Sequence, residues 1–282
     1  MQIKFDHVSF SYNPNTPFQV DALKDINLEF FENNVTAIVG RTGSGKSTLT
    51  ELINKLLTPT SGRVVVNNLV NDKKVKVKGK KMKAFRKDIG FLFQFSEHQL
   101  FEDSVIKDVM FGIKSYYPKH PNPLALAKQS LSLVGLDETF YERSPFDLSG
   151  GEKKRVAIAG VLAYQPKVLI LDEPTAGLDN KGKKEIMDLF MKIHQTGVAI
   201  ILVSHDMDVV LEYADQMVVI DNGEIERIGK PKEILKEDVE QYNLETPNIY
   251  KVVHLLKRHG KKIDENKITD IASLIKELKN NG

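Results

Sequence analysis

The stretch Gly40-Arg41-Thr42-Gly43-Ser44-Gly45-Lys46-Ser47-Thr48 follows directly on the apolar run Val35–Val39. It has the glycine spacing and the Lys-Ser ending of a loop that binds phosphate groups between a strand and a helix. Glycine lets successive backbone N–H groups approach a di- or triphosphate closely, and the helix that follows adds its positive dipole end. The sequence therefore predicts a nucleoside triphosphate site at this loop.

The end of the loop carries two side chains with predicted roles. Lys46 is placed to reach the β- and γ-phosphate oxygens, and Ser47 to give a hydroxyl ligand to the Mg²⁺ that bridges them. Thr48 is expected to support the start of the helix. The loop residues expected to bind the nucleotide are Gly40, Arg41, Thr42, Gly43, Ser44, Gly45, Lys46, Ser47 and Thr48.

The composition excludes several classes of protein. The chain has 282 residues, 28% of them charged, and a net charge of +2, which excludes a generally basic nucleic-acid binder. The absence of cysteine excludes disulfides, thiol catalysis and cysteine-based metal sites. The first residues lack the order of a signal peptide, and apolar runs such as Val198–Val203 are too short to cross a bilayer. We expect a cytoplasmic chain with no membrane span of its own.

Strand and helix patterns alternate along most of the chain. Strands are predicted at Ile3–Phe10, Leu23–Phe30, Val35–Val39, Gly62–Val66, Ile89–Phe93, Val168–Leu171, Val198–Val203 and Gln216–Ile220. Helices are predicted after Ser47 and at Pro123–Val134, Gly151–Tyr164, Lys181–His194 and Met207–Tyr213. This alternation predicts a mostly parallel α/β core, with an antiparallel β part at the N-terminus.

The strand signals stop at about Pro231. Two amphipathic helices are predicted beyond it, over Asn248–His259 and Lys267–Lys279, each with an apolar face. We therefore expect a nucleotide-binding domain over 1–229 and a C-terminal helical extension over 230–282.

Two carboxylates follow the buried strand Val168–Leu171. Asp172 can hold Mg²⁺ or its water, and Glu173 can take a proton from an attacking water. Ligands of α/β sheets bind at strand ends of this kind. The alternative is a core strand followed by a solvated acidic turn, which the phosphate loop in the same chain makes the weaker interpretation.

Adjacent glycines occur in Leu148-Ser149-Gly150-Gly151-Glu152, just before a basic helical stretch. Such a helix start can hold a second anion. Alternatively it is only a capped helix N-terminus, with Ser149 or the glycines as the cap and Glu152 in the first turn.

These motifs, in this order, resemble those of ATP-binding-cassette (ABC) ATPase subunits. The resemblance covers Met1 to Gly229, and Glu152 stands where that family more often has glutamine. It implies a P-loop NTPase core of ABC type, an N-terminal antiparallel β subdomain and a helical signature subdomain, with ATP and Mg²⁺ as cofactors. The motifs are the phosphate loop Gly40–Thr48, Gln94, the signature Leu148–Glu152, the carboxylate motif Val168–Glu173, the segment Ala176–Asp179 and His205.

The resemblance also implies a role for each site residue. Each ATP of a cassette dimer lies between the phosphate loop of one subunit and the signature of the other, so Ser149 and Gly151 would serve the partner's nucleotide. The remaining roles are Glu173 as general base, Gln94 as sensor of Mg²⁺ and the γ-phosphate, His205 at the γ-phosphate, Asp179 across the interface and Tyr12 stacked on adenine. The alternatives are a surface tyrosine at Tyr12, a core histidine at His205 and a strand-end amide at Gln94.

A closer resemblance is to the ATPases of energy-coupling-factor (ECF) importers, and within them to the second, CbiO-like paralogue. It rests on Thr16–Phe18, Phe93–Phe95, Glu97–Phe101, Ser144–Leu148, Val156–Gly160 and Pro174–Asp179. Ser96 departs from the proline usual in that family. The resemblance implies a heterodimer with a paralogous ATPase, a transmembrane coupling protein and a separate membrane protein that captures a vitamin. The chain would lie at the cytoplasmic face of the cell membrane, reach the membrane only through these proteins and bind no nucleic acid.

Other function classes stay open at this point. One is the ATPase of another ABC importer, for a metal ion or an amino acid. Another is a non-transport ABC ATPase of DNA repair, chromosome organisation or translation, which the missing coiled coil and the single cassette argue against. The third is a small-molecule P-loop kinase, which the signature and His205 argue against.

Two segments have two interpretations each. The segment after Gln94 suits a docking groove for an amphipathic helix of the membrane protein, with Glu97 meeting a basic residue of that helix. Alternatively, its side chains fill the junction between subdomains. The residues concerned are Phe95, Glu97, His98, Leu100 and Phe101. Lys73–Lys87 holds nine basic residues in fifteen. It is either a patch for nucleic acid or anionic lipid, or an exposed edge strand, which we favour.

Overall fold

The computed structural model describes residues 2–74, 79–236, 239–268 and 271–280. Its strands are β1 (Ile3–Tyr12), β2 (Val20–Phe30), β3 (Val35–Val39), β4 (Ser61–Val66), β5 (Leu69–Asn71), β6 (Ile89–Leu92), β7 (Val168–Asp172), β8 (Ala199–Val203), β9 (Gln216–Asp221) and β10 (Glu224–Gly229). Its helices are α1 (Lys46–Ile53), α2 (Lys80–Arg86), α3 (Val105–Tyr116), α4 (Pro123–Leu133), α5 (Gly150–Leu162), α6 (Asn180–His194), α7 (Met207–Tyr213), α8 (Pro231–Ile234), α9 (Asn248–Arg258) and α10 (Ile271–Asn280).

The central sheet has the strand order β10-β9-β3-β8-β7-β6. Its strands run parallel from β9 to β6, and β10 adds an antiparallel edge. All five residues of β3 are buried, because helices or the second sheet cover both faces of a parallel sheet. The predicted α/β core is therefore confirmed.

A second, antiparallel sheet has the order β2-β1-β4-β5 and confirms the predicted N-terminal β part. Its apolar face packs with α1 against one face of the central sheet, around residues such as Phe5, Ile26 and Ile170. The opposite face of the central sheet is covered by α3, α4, α5 and α6, around residues such as Val109 and Leu169. Both cores hold the strand ends of the central sheet in fixed positions.

The C-terminal residues pack in two stages. Leu235 and Tyr250 are buried against Ala37 and Met217 of the central sheet, so the segment after β10 contributes to the main core. Beyond it, Val253 of α9 and Leu274 of α10 share a small separate core. The two predicted helices thus pack on each other. Within the described residues, no helix is long and apolar enough to cross a membrane.

The favoured interpretation of Lys73–Lys87 is wrong for its second half. Lys80–Arg86 form α2 and not an edge strand, because Phe85 turns into the core beneath α2 and is 1% exposed. The alternating residues 75–78 lie outside the described residues. Helices α3 and α8 and strands β5 and β10 were also not predicted from the sequence.

Candidate functional site

Four neighbouring strands of the central sheet bring the predicted site residues to one edge. β3 leads into the phosphate loop, β8 into His205, β7 into Asp172 and Glu173, and β6 into Gln94. These strands are parallel and consecutive in the order β3-β8-β7-β6. Because the carboxyl ends of parallel strands lie at one edge, the sheet places these residues in a row.

The phosphate loop depends on glycine at two positions for steric reasons. Gly40 has φ of +150°, and a Cβ there would lie 2.0 Å from the carbonyl oxygen of Ile220. Gly45 has φ of +108°, and a Cβ there would lie 2.5 Å from the carbonyl oxygen of Ala22. Glycine at these two positions therefore lets the loop pass closely against β9 and β2.

Polar groups line the loop without a complete set of partners. Nζ of Lys46 folds back and donates to the carbonyl oxygens of Gly40 and Arg41, each at 2.7 Å. Oγ of Ser44 is buried with no hydrogen-bond partner in the described residues. Burial lowers the pKa of Lys46, although Glu173 and Asp172 act in the opposite direction. A cation and a donor held in this way fit an anionic phosphate chain.

The side chain of Arg41 points elsewhere. Its Nε lies 2.8 Å from a carboxylate oxygen of Asp221, and its guanidinium also contacts Asn222 in the turn after β9. The Arg41 side chain therefore ties the phosphate loop to that turn.

Two acidic residues at the end of β7 differ in their surroundings. Burial and the charge of Glu173 raise the pKa of Asp172 to about 6, and Lys46 opposes this shift. Oε1 of Glu173 lies 2.8 Å from Nδ1 of His205, and the Glu173 side chain is only 12% exposed. A shielded carboxylate beside an imidazole is an arrangement in which a proton can be accepted and passed on.

Tyr12 lies beside the start of α1. Its hydroxyl is 3.0 Å from Oγ1 of Thr48, and its ring packs edge-on against Phe10. The ring therefore stands next to the phosphate loop with part of its surface exposed. This position is compatible with stacking on a base.

The signature forms a capped helix start. Ser149 is the N-cap of α5, and Glu152 completes a capping box with it. Within residues 2–74 and 79–236, no hydrogen bond or ion pair joins the signature to the phosphate loop. Asp179 likewise caps its own helix, accepting from the backbone N–H of Gly182 at 2.7 Å.

The segment after Gln94 has both buried and exposed side chains. Leu100 is buried in the main core, whereas Phe95, His98 and Phe101 are exposed. Glu97 turns inward, where one carboxylate oxygen is buried without a hydrogen-bond partner in the described chain. The charge of Glu97 acts on buried Lys154 of α5, whose pKa is lowered by burial.

Three side chains that tie the site to its surroundings were not predicted from the sequence. One is Lys154, described above. Nζ of Lys183 on α6 lies 2.6 Å from Asp206, which caps α7 directly after His205. Asp208 accepts hydrogen bonds from the backbone and the side chain of Asn248, at the start of α9. The acid after His205 is a typical N-cap signal, but nothing in the sequence indicates its lysine partner.

Comparison with known proteins agrees with this geometry. A family model described as ABC transporter matches residues 23–176. The chain is 47% identical over 271 residues to EcfA2, an energy-coupling factor transporter ATP-binding protein of Streptococcus pyogenes serotype M5 (strain Manfredo). The alignment covers 95% of this chain and 96% of that protein.

Two solved structures share the fold. One is cbiO1 from Clostridium perfringens, part of the ABC transporter complex cbiONQ, with a TM-score of 0.74, 38% identity and coverage of 90% of this chain and 98% of that chain. The other is the ATP-binding cassette MJ0796 as a dimer bound to ADP and Pi, with a TM-score of 0.72, 31% identity and coverage of 81% and 98%. The family expected from the motifs is thereby confirmed. The chain belongs to the ABC transporter ATPases, and within them to the ATP-binding proteins of energy-coupling factor transporters.

Proposed function

We propose that this chain hydrolyses ATP as one of two paired ATPase subunits that power an ECF-type importer of a vitamin or another micronutrient. The observation that carries the proposal is the row of strand ends at which the phosphate loop, Glu173, His205 and Gln94 meet. ATP hydrolysis needs a phosphate cradle, a base and residues near the γ-phosphate, and the candidates for all three lie along this row.

The residues at this edge fit ATP with Mg²⁺. The buried, unpartnered hydroxyl of Ser44 and the folded-back ammonium of Lys46 are groups that a phosphate chain would satisfy. The oxygens of Ser47, Gln94 and Asp172 are the hard donors that Mg²⁺ prefers. When bound, Mg²⁺ would neutralise charge on the β- and γ-phosphates. Glu173 would accept the proton of the attacking water, oriented by its contact with His205.

The proposed partner of this chain is a paralogous ATPase. In the part of the chain that the structure describes, no hydrogen bond or ion pair joins the signature to the chain's own phosphate loop, which is compatible with a role of the signature at the nucleotide of a second subunit. We assign Asp179 to the interface with that subunit. Apolar side chains also stay exposed on the C-terminal helices. On α9 these are Val252 and Leu255, and on α10 they are Ile271 and Ile275. We propose that they make 230–282 a dimerisation extension, since such faces call for a protein partner.

The proposed contact with the transmembrane coupling protein is an aromatic patch beside Gln94. Phe101 and Phe111 pack edge-on at 4.9 Å, and Phe95 and His98 stack at 5.8 Å. Half or more of each phenylalanine is exposed. An amphipathic helix could bury its apolar side on this patch. Because Glu97 faces Lys154, the docking proposal rests on the aromatic residues. Leu100 fills the subdomain junction, which is what the alternative interpretation of this segment expected.

The proposed location is the cytoplasmic face of the cell membrane, reached only through membrane proteins, one of which captures the substrate. The alternatives from the sequence are the ATPase of a metal-ion or amino-acid importer and a non-transport ABC ATPase. The name of the Streptococcus pyogenes relative favours the ECF type.

The test is purification of the tagged chain from its native membrane. We expect a second ATPase and two kinds of integral membrane protein to copurify, and ATP hydrolysis to require both ATPases. Replacing Phe95 and Phe101 by serine should release the membrane proteins while the ATPase pair still binds ATP. Phe31→Ser, at another exposed phenylalanine, is the matched control. A chain that purifies alone, or a complex that survives the double replacement, would contradict the proposal.

A further inference from the structure

The hydroxyl of Ser149 is already engaged within its own helix. Oε2 of Glu152 accepts from Oγ of Ser149 at 2.7 Å and from the backbone N–H of Ser149 at 2.8 Å. A carboxylate has acceptors only, so the hydroxyl proton between these two groups must come from the serine. The Ser149 hydroxyl is thereby directed at Glu152, and its proton is not available to another anion.

A glutamine at position 152 would change the hydrogen bonds of the Ser149 hydroxyl. Its carbonyl oxygen could still accept from the Ser149 backbone, while its amide N–H could donate to the hydroxyl oxygen. The hydroxyl proton would then be free to point at a phosphate. The difference between Glu152 and glutamine therefore concerns the direction of one hydrogen bond as well as one charge.

The carboxylate of Glu152 stays ionised in this setting. The hydrogen bonds from the side chain and backbone of Ser149 lower the pKa of Glu152, and Arg143 contributes in the same direction. A negative charge in the first turn stabilises α5 through the helix dipole. The same charge repels any second anion that approaches this helix start.

We propose that Glu152 is a brake on this chain's signature: it takes the Ser149 proton and repels the γ-phosphate of the nucleotide bound to the partner ATPase. The inference rests on the proposed function, in which that nucleotide meets the signature. Glu152 acts through Ser149 and is a positioning residue. The site closed by this signature would then require more ATP to close than it would with glutamine at position 152.

The test is Glu152→Gln in the complex purified with the partner ATPase, with hydrolysis measured against ATP concentration. The ATP concentration for half-maximal rate should fall by about tenfold, the effect of one like charge removed from about 10 Å at an effective dielectric constant near 20. The gain should shrink as salt is raised from 50 to 500 mM, because salt screens the charge. Meanwhile the melting temperature should fall by about 1–2 °C, since α5 loses a favourable charge.

Glu152→Gln should therefore raise activity at low ATP concentration while it lowers stability. Replacement of a merely structural residue would lower activity and stability together. Glu152→Asp keeps the charge, and Glu138→Gln removes an exposed carboxylate elsewhere in the helical subdomain. Neither variant should show the gain. Ser149→Ala should slow hydrolysis in the wild-type and in the Glu152→Gln background. If Ser149→Ala has no effect, the proposed role of the signature fails. If Ser149→Ala slows hydrolysis but Glu152→Gln brings no gain, the brake alone is overturned.

Discussion

Glu173 and His205 are joined across two neighbouring strand ends, with Oε1 of the glutamate 2.8 Å from Nδ1 of the histidine. Glu173 reaches this position with a left-handed φ of +50°, and its backbone N–H donates to the carbonyl oxygen of Val203 on β8. A non-glycine residue is held in that region only when its surroundings require it. The turn after β7 therefore fixes the direction of the Glu173 carboxylate.

Glu173→Gln should preserve ATP binding while turnover falls by about a hundredfold or more, because the amide cannot accept the proton of the attacking water. The measurement is steady-state hydrolysis by the assembled pair, with ATP affinity measured separately. Glu212→Gln, at an exposed acid of α7, is the control and should change neither quantity. A Glu173→Gln variant that hydrolyses ATP at a near wild-type rate would rule out the general-base role.

The raised pKa of Asp172, about 6, predicts a pH dependence of Mg²⁺-dependent binding. The carboxylate takes up a proton as the pH falls through this value, and the charge proposed to attract Mg²⁺ is lost. Affinity for ATP with Mg²⁺ should therefore decline from pH 7 to pH 5.

The terminal phosphate of ATP takes up a proton in a similar range, so the informative quantity is a difference between proteins. Calorimetric titrations of the wild type and Asp172→Asn, with Mg²⁺ or with a chelator, should show an advantage of the wild type at pH 7.5 that vanishes near pH 5. An advantage that is independent of pH would contradict the assignment.

The opposite charges of Lys154 and Glu97 predict that α5 and the segment after Gln94 stabilise each other. Lys154→Met should lower the free energy of unfolding by about 1–2 kcal/mol, because the buried oxygen of Glu97 loses its compensating charge. Glu97→Gln in the same chain should restore part of that loss. Urea unfolding of the two single variants and the double variant gives the coupling, and strictly additive losses would show that the two charges do not interact.

The exposed faces of α9 and α10 predict how the ATPase pair is held together. Leu255→Asp combined with Ile271→Asp should weaken nucleotide-free association without unfolding the chain, since both side chains are at least half exposed. Sedimentation of the pair measures this, and Leu133→Asp on an exposed part of α4 is the control. Truncation after Gly229 is a poorer test, because it would also remove Leu235 and Tyr250 from the main core. Unchanged association of the double variant would exclude these faces from the interface.

The sequence by itself determined the features that are encoded within a few neighbouring residues. The spacing of Gly40, Gly45 and Lys46 predicts a phosphate loop, because only glycine can hold that backbone path. Likewise, the carboxylates after the apolar run of β7 and the cap at Ser149 are local patterns, and the structure shows both where they were expected. Fold class followed as well, because strand and helix periods alternate along the chain.

Other features were decided only by the tertiary structure, because the partners lie far apart in sequence. The strand order that puts Gln94, Glu173 and His205 in one row comes from packing on both faces of the sheet, and no local pattern encodes it. Lys80–Arg86 form α2 with Phe85 buried, although an exposed edge strand was favoured for the basic segment Lys73–Lys87.

The directions of charged side chains were also decided only by the tertiary structure. Arg41 turns to Asp221, 180 residues later in the chain, and Glu97 turns inward toward Lys154 rather than outward toward a membrane protein. A charged side chain takes whichever opposite charge the fold places within reach, and that choice exists only once the chain has folded.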